Sequence, residues 1–152
     1  MEKTLRHEFM EKIASLLGSQ KLAVLATFGK EGPYANLIAF AETEDLKTIL
    51  FATPKETVKY ENMKKDNRVA LLVENTKNHE DDFQNARAVT AMGQVDALEG
   101  EVRSMMVKKY LVKHPNLAEF VNSPHCAFMQ VKVEAHILVE SLQKATRVSM
   151  KD

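Results

Sequence analysis

The sequence predicts a small antiparallel β-barrel of the mainly β (α+β) class, and three observations carry that prediction. Three short apolar strands follow one another within residues 22–52 with only polar turns between them. Parallel neighbours need far longer crossovers, so these strands must run antiparallel. A fourth and a fifth apolar stretch, then a long alternating one near the C-terminus, bring the strands to six. The third observation is scale. At 152 residues, 45% hydrophobic and 28% charged, the chain has enough sequence for one core, and no linker, repeat or low-complexity tract divides residues 1–152.

The elements follow in order. Residues 2–17 read as an amphipathic helix, because Leu5, Phe9, Ile13, Leu16 and Leu17 recur at spacings of three and four. Gly18 is expected to end it, in the position just past a helix that favours glycine. Strand one covers Leu22 to Phe28 and closes on Gly29-Lys-Glu-Gly32-Pro33, which has hairpin chemistry. Strand two covers Tyr34 to Ala41, and strand three Thr48 to Ala52. Thr53-Pro-Lys-Glu56 then has the form of a capping box with proline at the first helical position. It predicts a helix from there to Lys65, broken by Asp66-Asn67.

Arg68 to Glu74 is almost wholly apolar, so strand four is expected to be buried on both faces. Residues 75–85 are polar and acidic and read as a loop. Residues 87–98 give strand five, in which Gly93 marks a bulge or a close backbone approach. Residues 99–113 give a helix with Val102, Met105, Met106, Tyr110 and Leu111 on its apolar side, stopped by Pro115. Asn116-Leu-Ala-Glu119 opens a short helix that Pro124 closes. Met129 to Glu140 alternates apolar and polar residues as a half-buried strand does, with Cys126 just before it. Strands one and four carry apolar residues on both faces. Helices cover part of that surface and a second copy covers the rest, so a homodimer is expected.

Composition removes several function classes. With 21 basic and 21 acidic side chains there is no overall electrostatic footprint for nucleic acid or an anionic membrane. One cysteine excludes an internal disulfide framework and multi-cysteine metal centres. No apolar run approaches the roughly 20 residues of a membrane span. The start, Met-Glu-Lys-Thr-Leu-Arg-His-Glu, is too polar for a signal peptide. A cytoplasmic domain is therefore expected. His7, His79, His114, His125 and His136 show no metal-site spacing, and His79-Glu80-Asp81-Asp82 reads as an acidic surface loop. No metal site is expected. His125-Cys126 supplies only two soft ligands, and Cys126 reads as a small core residue. There is no nucleophile elbow, Walker loop or Gly-x-Gly-x-x-Gly. No side chain stands out as an acid–base catalyst, so no catalytic residue is assigned.

One junction does carry chemistry. In Phe51-Ala-Thr-Pro-Lys-Glu-Thr-Val-Lys-Tyr-Glu-Asn62 a strand runs into a helix start, whose free N–H groups and positive dipole end suit a phosphate. Lys55, Lys59 and Asn62 fall on one helical stripe over that spot. The same stripe also reads as a solvated basic face with a structural cap.

The order Lys-Leu-Ala-Val-Leu-Ala-Thr, Gly-Lys-Glu-Gly-Pro-Tyr, Leu-Phe-Ala-Thr, Thr-Val-Lys-x-x-Asn-Met and Asn-Arg-Val-Ala-Leu-Leu resembles the pyridoxamine 5′-phosphate oxidase-like family. The likeness is continuous from Lys21 to Val73 and looser to Glu140. It implies a six-stranded antiparallel split β-barrel with flanking helices, dimeric, with FMN at the subunit interface. Asn36, Leu37, Ile38 and Ala39 then correspond to the stretch along the flavin ring. Ala52 and Thr53 correspond to the FMN-contacting end of strand three, and Thr57 and Lys59 to phosphate contacts, with Asn62 on the same helix. Val58 stands where the true oxidases carry arginine, and Ala88 where they carry a flavin-contacting glutamine.

Those oxidases also carry a C-terminal arm with Trp and several Arg. This chain has no Trp, and Arg147 is alone in its tail. The resemblance therefore implies an FMN-dependent oxidoreductase for an unidentified small molecule rather than a vitamin B6 oxidase. A non-catalytic flavin carrier or sensor is the first alternative. A haem-binding split barrel, with His125, His136 or Cys126 as axial ligand, is the second, and a deazaflavin is a variant cofactor.

Overall fold

Every strand in the protein runs antiparallel to its neighbours. A computed structural model describes residues 1–151. It contains α1 (Lys3–Ser19), β1 (Leu22–Gly29), β2 (Gly32–Glu42), β3 (Thr48–Pro54), α2 (Val58–Lys65) and β4 (Arg68–Glu74). Then come α3 (Asp82–Asn85), β5 (Arg87–Ala97), α4 (Gly100–Lys113), a 3₁₀ turn at Pro115–Leu117, α5 (Ala118–Asn122), β6 (Cys126–Glu140) and β7 (Lys144–Ser149). The sheet order is β3-β2-β1-β4-β5-β6-β7, and a β3–β6 ladder closes the first six strands into a barrel. On one edge β6 serves two partners: Cys126–Lys132 pair with β3, and Ala135–Glu140 pair with β7.

The alternation along each strand explains the core. Leu25, Phe40, Ile49, Phe51, Leu71, Val89 and Val131 point inward and are fully buried. Helix α1 adds Phe9, Ile13, Leu16 and Leu17 to this cluster. Each such side chain contributes about 1.5–3 kcal/mol through burial. The other face of β3, Leu50 and Ala52, packs with Ala41, Leu98 and Phe128 beneath Val107 and Tyr110 of α4 and Val121 of α5. Helix α4 thus covers the outer side of the strands that frame the site.

Several expectations are met and several are corrected. The predicted six-stranded barrel is present, and Gly93 lies at a register shift against β6. A Cβ there would collide with the Lys132 carbonyl. Gly18, however, lies inside α1, which continues to Ser19 and ends at Gln20. Strand four is not buried on both faces: Val69, Leu71 and Val73 point inward, while Leu72 is 39% exposed. The buried side of α4 is Val107 and Tyr110, with Met106 and Leu111 packed beside them. Val102 and Met105 face outward, because the helix meets the barrel through the other flank of its apolar stripe. The expected loop at 75–85 contains the single turn of α3. Strand β7, which the sequence reading lacks, has only Val148 fully buried within a polar sequence.

The predicted helix start is also displaced. Strand β3 continues through Thr53 and Pro54, which pair with Ala127 and Cys126, and the Lys55 N–H donates to the His125 carbonyl at 2.8 Å. These bonds hold Thr53 and Pro54 in the strand, so the Thr53 capping box does not form. Thr57 caps α2 instead, its hydroxyl accepting from the Tyr60 N–H at 3.2 Å.

Candidate functional site

β2 and β3 part company immediately beyond the Phe40–Phe51 pair. Their ladder covers only Phe40–Glu42 against Ile49–Phe51, whereas β1 pairs the other edge of β2 from Gly32 to Ala39. Residues 33–39 of β2 therefore present an edge with no partner strand towards the opening. Such an edge offers alternating backbone donors and acceptors. On the far side of the opening β3 turns away to pair with β6 and ends at Thr53 and Pro54.

The four β2 candidates diverge as a strand requires. Asn36 and Ile38 point towards the barrel interior, Leu37 outward. Ile38 is buried and Leu37 is 65% exposed. The Asn36 amide oxygen is buried without a hydrogen-bond partner among the described residues, an uncommon condition for a polar group. The carbonyls of Ala39 and Phe40 are already engaged. Tyr110 Oη donates to the first at 2.9 Å, and His114 Nε2 lies 2.6 Å from the second.

At the end of β3 the hydroxyls of Thr53 and Thr57 lie 3.3 Å apart, and Thr57 Oγ1 also donates to the Pro54 carbonyl at 2.9 Å. These bonds fix the turn into α2. Val58 and Lys59 occupy its first two helical positions, where N–H groups lack intrahelical acceptors. Lys59 is half-buried, and desolvation pushes its pKa down. An anion beside it would reverse that penalty.

The Thr53 and Thr57 hydroxyls are thus brought together, and Lys59 follows in the first turn of α2. The remaining candidates are placed elsewhere. Ala52 points to the outer face and packs with Leu50 and Phe128. Asn62 is buried, its Nδ2 donating to Thr27 Oγ1 at 3.0 Å, so it ties α2 to β1. Lys55 lies before the helix, and the expected Lys55–Lys59–Asn62 stripe does not form. Tyr110 of α4 and His114, the residue that caps its C-terminus, clasp β2, a role the sequence does not announce. Their spacing of four along a helix, with ring centroids 4.9 Å apart, is the signal that points to them.

The haem-ligand candidates have different surroundings. His136 is fully buried, with Nε2 2.8 Å from the Leu46 carbonyl and Nδ1 unpartnered. Cys126 is buried and His125 is exposed. Among the described residues, no three His, Cys, Asp or Glu side chains gather to hold a metal ion. Nor is any described helix long and apolar enough to cross a membrane.

A family model described as pyridoxamine 5′-phosphate oxidase matches residues 9–140. No curated protein matches the sequence. Among solved structures, a haem-binding protein from Mycobacterium smegmatis is similar with a TM-score of 0.81 at 15% identity, over 92% of this chain. This chain spans only 57% of that one. A protein from Clostridium acetobutylicum, described as related to general stress protein 26 and of the pyridoxinephosphate oxidase family, has a TM-score of 0.72 at 18% identity, covering 94% of this chain and 95% of that one. A FAD-binding protein from Mesorhizobium loti has a TM-score of 0.69 at 14% identity, covering 84% and 90%. At these identities the structural likenesses establish the split-barrel fold. The family match extends over most of the chain, which belongs to the pyridoxamine 5′-phosphate oxidase family.

Proposed function

We propose that this member of the pyridoxamine 5′-phosphate oxidase family binds FMN in the opening between β2 and β3 and acts as an oxidoreductase on a small molecule. The observations that support the reading are the unpartnered β2 edge at residues 33–39 and the Thr57-capped helix start that follows β3. The donor set fits an FMN. A flat, polar-edged ring suits an open strand edge, and the orphaned Asn36 amide supplies a further hydrogen-bonding group. The N–H groups of Val58 and Lys59 and the Lys59 ammonium suit the phosphate, and the Thr57 hydroxyl, spent on the Pro54 carbonyl and the Tyr60 N–H, holds that helix start in place. Val58 leaves the site one cation short of the true oxidases' pattern, so Lys59 carries more of the phosphate charge.

Bound flavin supplies hydride or electron transfer. The chain's own residues bind and orient: β2 aligns the ring, α2 anchors the phosphate, and α4 braces β2 through Tyr110 and His114.

The same reading includes a homodimer. On the outer face, Leu37, Val24 and Leu72 lie in register across β2, β1 and β4, with Leu22 beside them 55% exposed. A contiguous apolar stripe over three strands suits a second copy of the chain, and Leu37 joins that stripe to the β2 edge. Such a dimer completes the flavin opening with the partner's surface.

The spectrum of purified protein reconstituted with FMN tests the reading. A bound-flavin band near about 450 nm that bleaches with NAD(P)H and recovers with turnover supports the oxidoreductase. A band that does not turn over identifies a carrier. A preparation that ignores FMN but gives a Soret band with haem overturns the flavin reading.

A further inference from the structure

Where β3 ends, β6 begins and β5 hands over to α4, a cavity of 310 Å³ opens. Lys55, Glu99, Arg103, Asn122, Ser123 and Cys126 line it, with the Phe128 ring in its wall. None of the residues assigned to flavin lies among its lining residues, although Ala127 pairs with Thr53 and the Tyr60 N–H meets Thr57, so the cavity abuts the start of α2.

Its charges are distinctive. Arg103 is held in place, Nη2 donating to the Val121 carbonyl at 2.9 Å and the guanidinium 6.0 Å from the Phe128 ring centroid. That leaves most of its five N–H donors unused. Neither Arg103 nor Lys55 forms an ion pair among the described residues. Burial raises the Cys126 thiol's pKa, and Arg103 and Lys55 both oppose that rise. Two unneutralised cations from different elements therefore converge on one floor residue. Glu99 is the only carboxylate in the lining, which leaves a cation in excess. The volume is at the lower end of ligand pockets, enough for a few heavy atoms bearing one anionic group.

We propose that this cavity binds a small organic oxyanion, a carboxylate or a phosphate monoester, held between Lys55 and Arg103 with Ser123 and Asn122 supplying neutral hydrogen bonds. The Arg103 fork recognises the planar or tetrahedral oxygens, and exposed Lys55 closes over them as a point charge. The site stands independently of the flavin reading.

Amide chemical shifts of the full chain, titrated with inorganic phosphate and separately with malonate at constant ionic strength, test it. The expected result is saturable shifts at Glu99, Ser123 and Cys126, with the tighter probe identifying phosphate or carboxylate as the preferred group. Lys55→Met, whose side chain makes no hydrogen bond in the fold, and Arg103→Met should each weaken binding about fivefold. Lys59→Ala should leave it unchanged. Shifts that never saturate, that persist in both variants, or that vanish in Lys59→Ala overturn the proposal. Because FMN is absent from the titration, failure of the flavin reading leaves this result standing.

Discussion

Tyr110 Oη donates a 2.9 Å hydrogen bond to the carbonyl of Ala39, joining α4 to β2 at the point where β2 loses its ladder to β3. The phenol is almost fully buried, and burial pushes its pKa well above the ordinary range, so it stays a neutral donor at all working pH. Tyr110→Phe leaves the Ala39 carbonyl without that donor. The expected cost is about 1 kcal/mol of folding stability. FMN affinity should also fall, by about threefold, since the ring's platform is loosened. Urea unfolding and flavin titration of the same variant read the two effects, and an unchanged FMN affinity would remove Tyr110 from the site.

Gly93 offers a sharper structural test. A Cβ at this position meets the Lys132 carbonyl at the register shift between β5 and β6. Gly93→Ala should therefore cost about 2–4 kcal/mol. Gly100, with φ of 66° but open space around it, should cost only about 1 kcal/mol as alanine. Equal losses at the two glycines would contradict the close approach.

His136 predicts a pH dependence. Its Nε2 meets the Leu46 carbonyl and its Nδ1 is buried without a partner, so protonation places a charge in the core. Burial pushes its pKa below the ordinary 6.5. The unfolded chain then binds the proton more readily, so stability is lost as pH falls through 6.5 and on towards the lowered folded value. Above 6.5 the group contributes no pH dependence. The slope is at most about 1.4 kcal/mol per pH unit. Urea-derived stability between about pH 5 and about pH 7.5, compared with His136→Gln, isolates it. Parallel curves for the two proteins would disprove the assignment.

The outer stripe makes a prediction about assembly. Leu72 pairs with Val24, which pairs with Leu37, on a face where Leu37 and Leu72 are exposed and Val24 is half-buried. Leu72→Glu places a charge at the β4 end of the stripe, where burying it against a second copy is costly. Light scattering should show a dimer for the natural chain and a monomer for the variant, with weaker FMN binding in the latter. A monomer in both cases would rule the dimer out.

The barrel was legible because its signals are local. The alternation in residues 129–140, the turn at Gly29–Pro33 and the single Gly93 each report backbone geometry directly. Strand β7 was not, since its hairpin turns through Ser141 and Leu142 at φ of 53° and 59° without the glycine or asparagine that usually marks such turns. The start of α2 was misplaced because a β3–β6 ladder, formed across some 70 residues, overrides the capping preference of Thr53. Of the proposed site, Thr53, Thr57 and Lys59 lie in one contiguous segment, so the strand-to-helix junction alone suggests them. Tyr110 and His114 show only a spacing of four that sets both on one flank, and that this flank meets β2 depends on where α4 crosses it, a tertiary fact. For Asn62, a buried bond to Thr27 on another strand decides its placement in the same way.

The most direct test of the account compares FMN with riboflavin in the natural chain and in Lys59→Ala, by quenching of flavin fluorescence. The predicted result is saturation at one FMN per chain. The variant should bind FMN about tenfold more weakly but riboflavin equally well, because only FMN carries the phosphate that Lys59 meets. Its unfolding free energy should change by no more than about 0.5 kcal/mol. No saturable binding by the natural chain, or an equal loss of both flavins in the variant, would contradict a phosphate held at the start of α2.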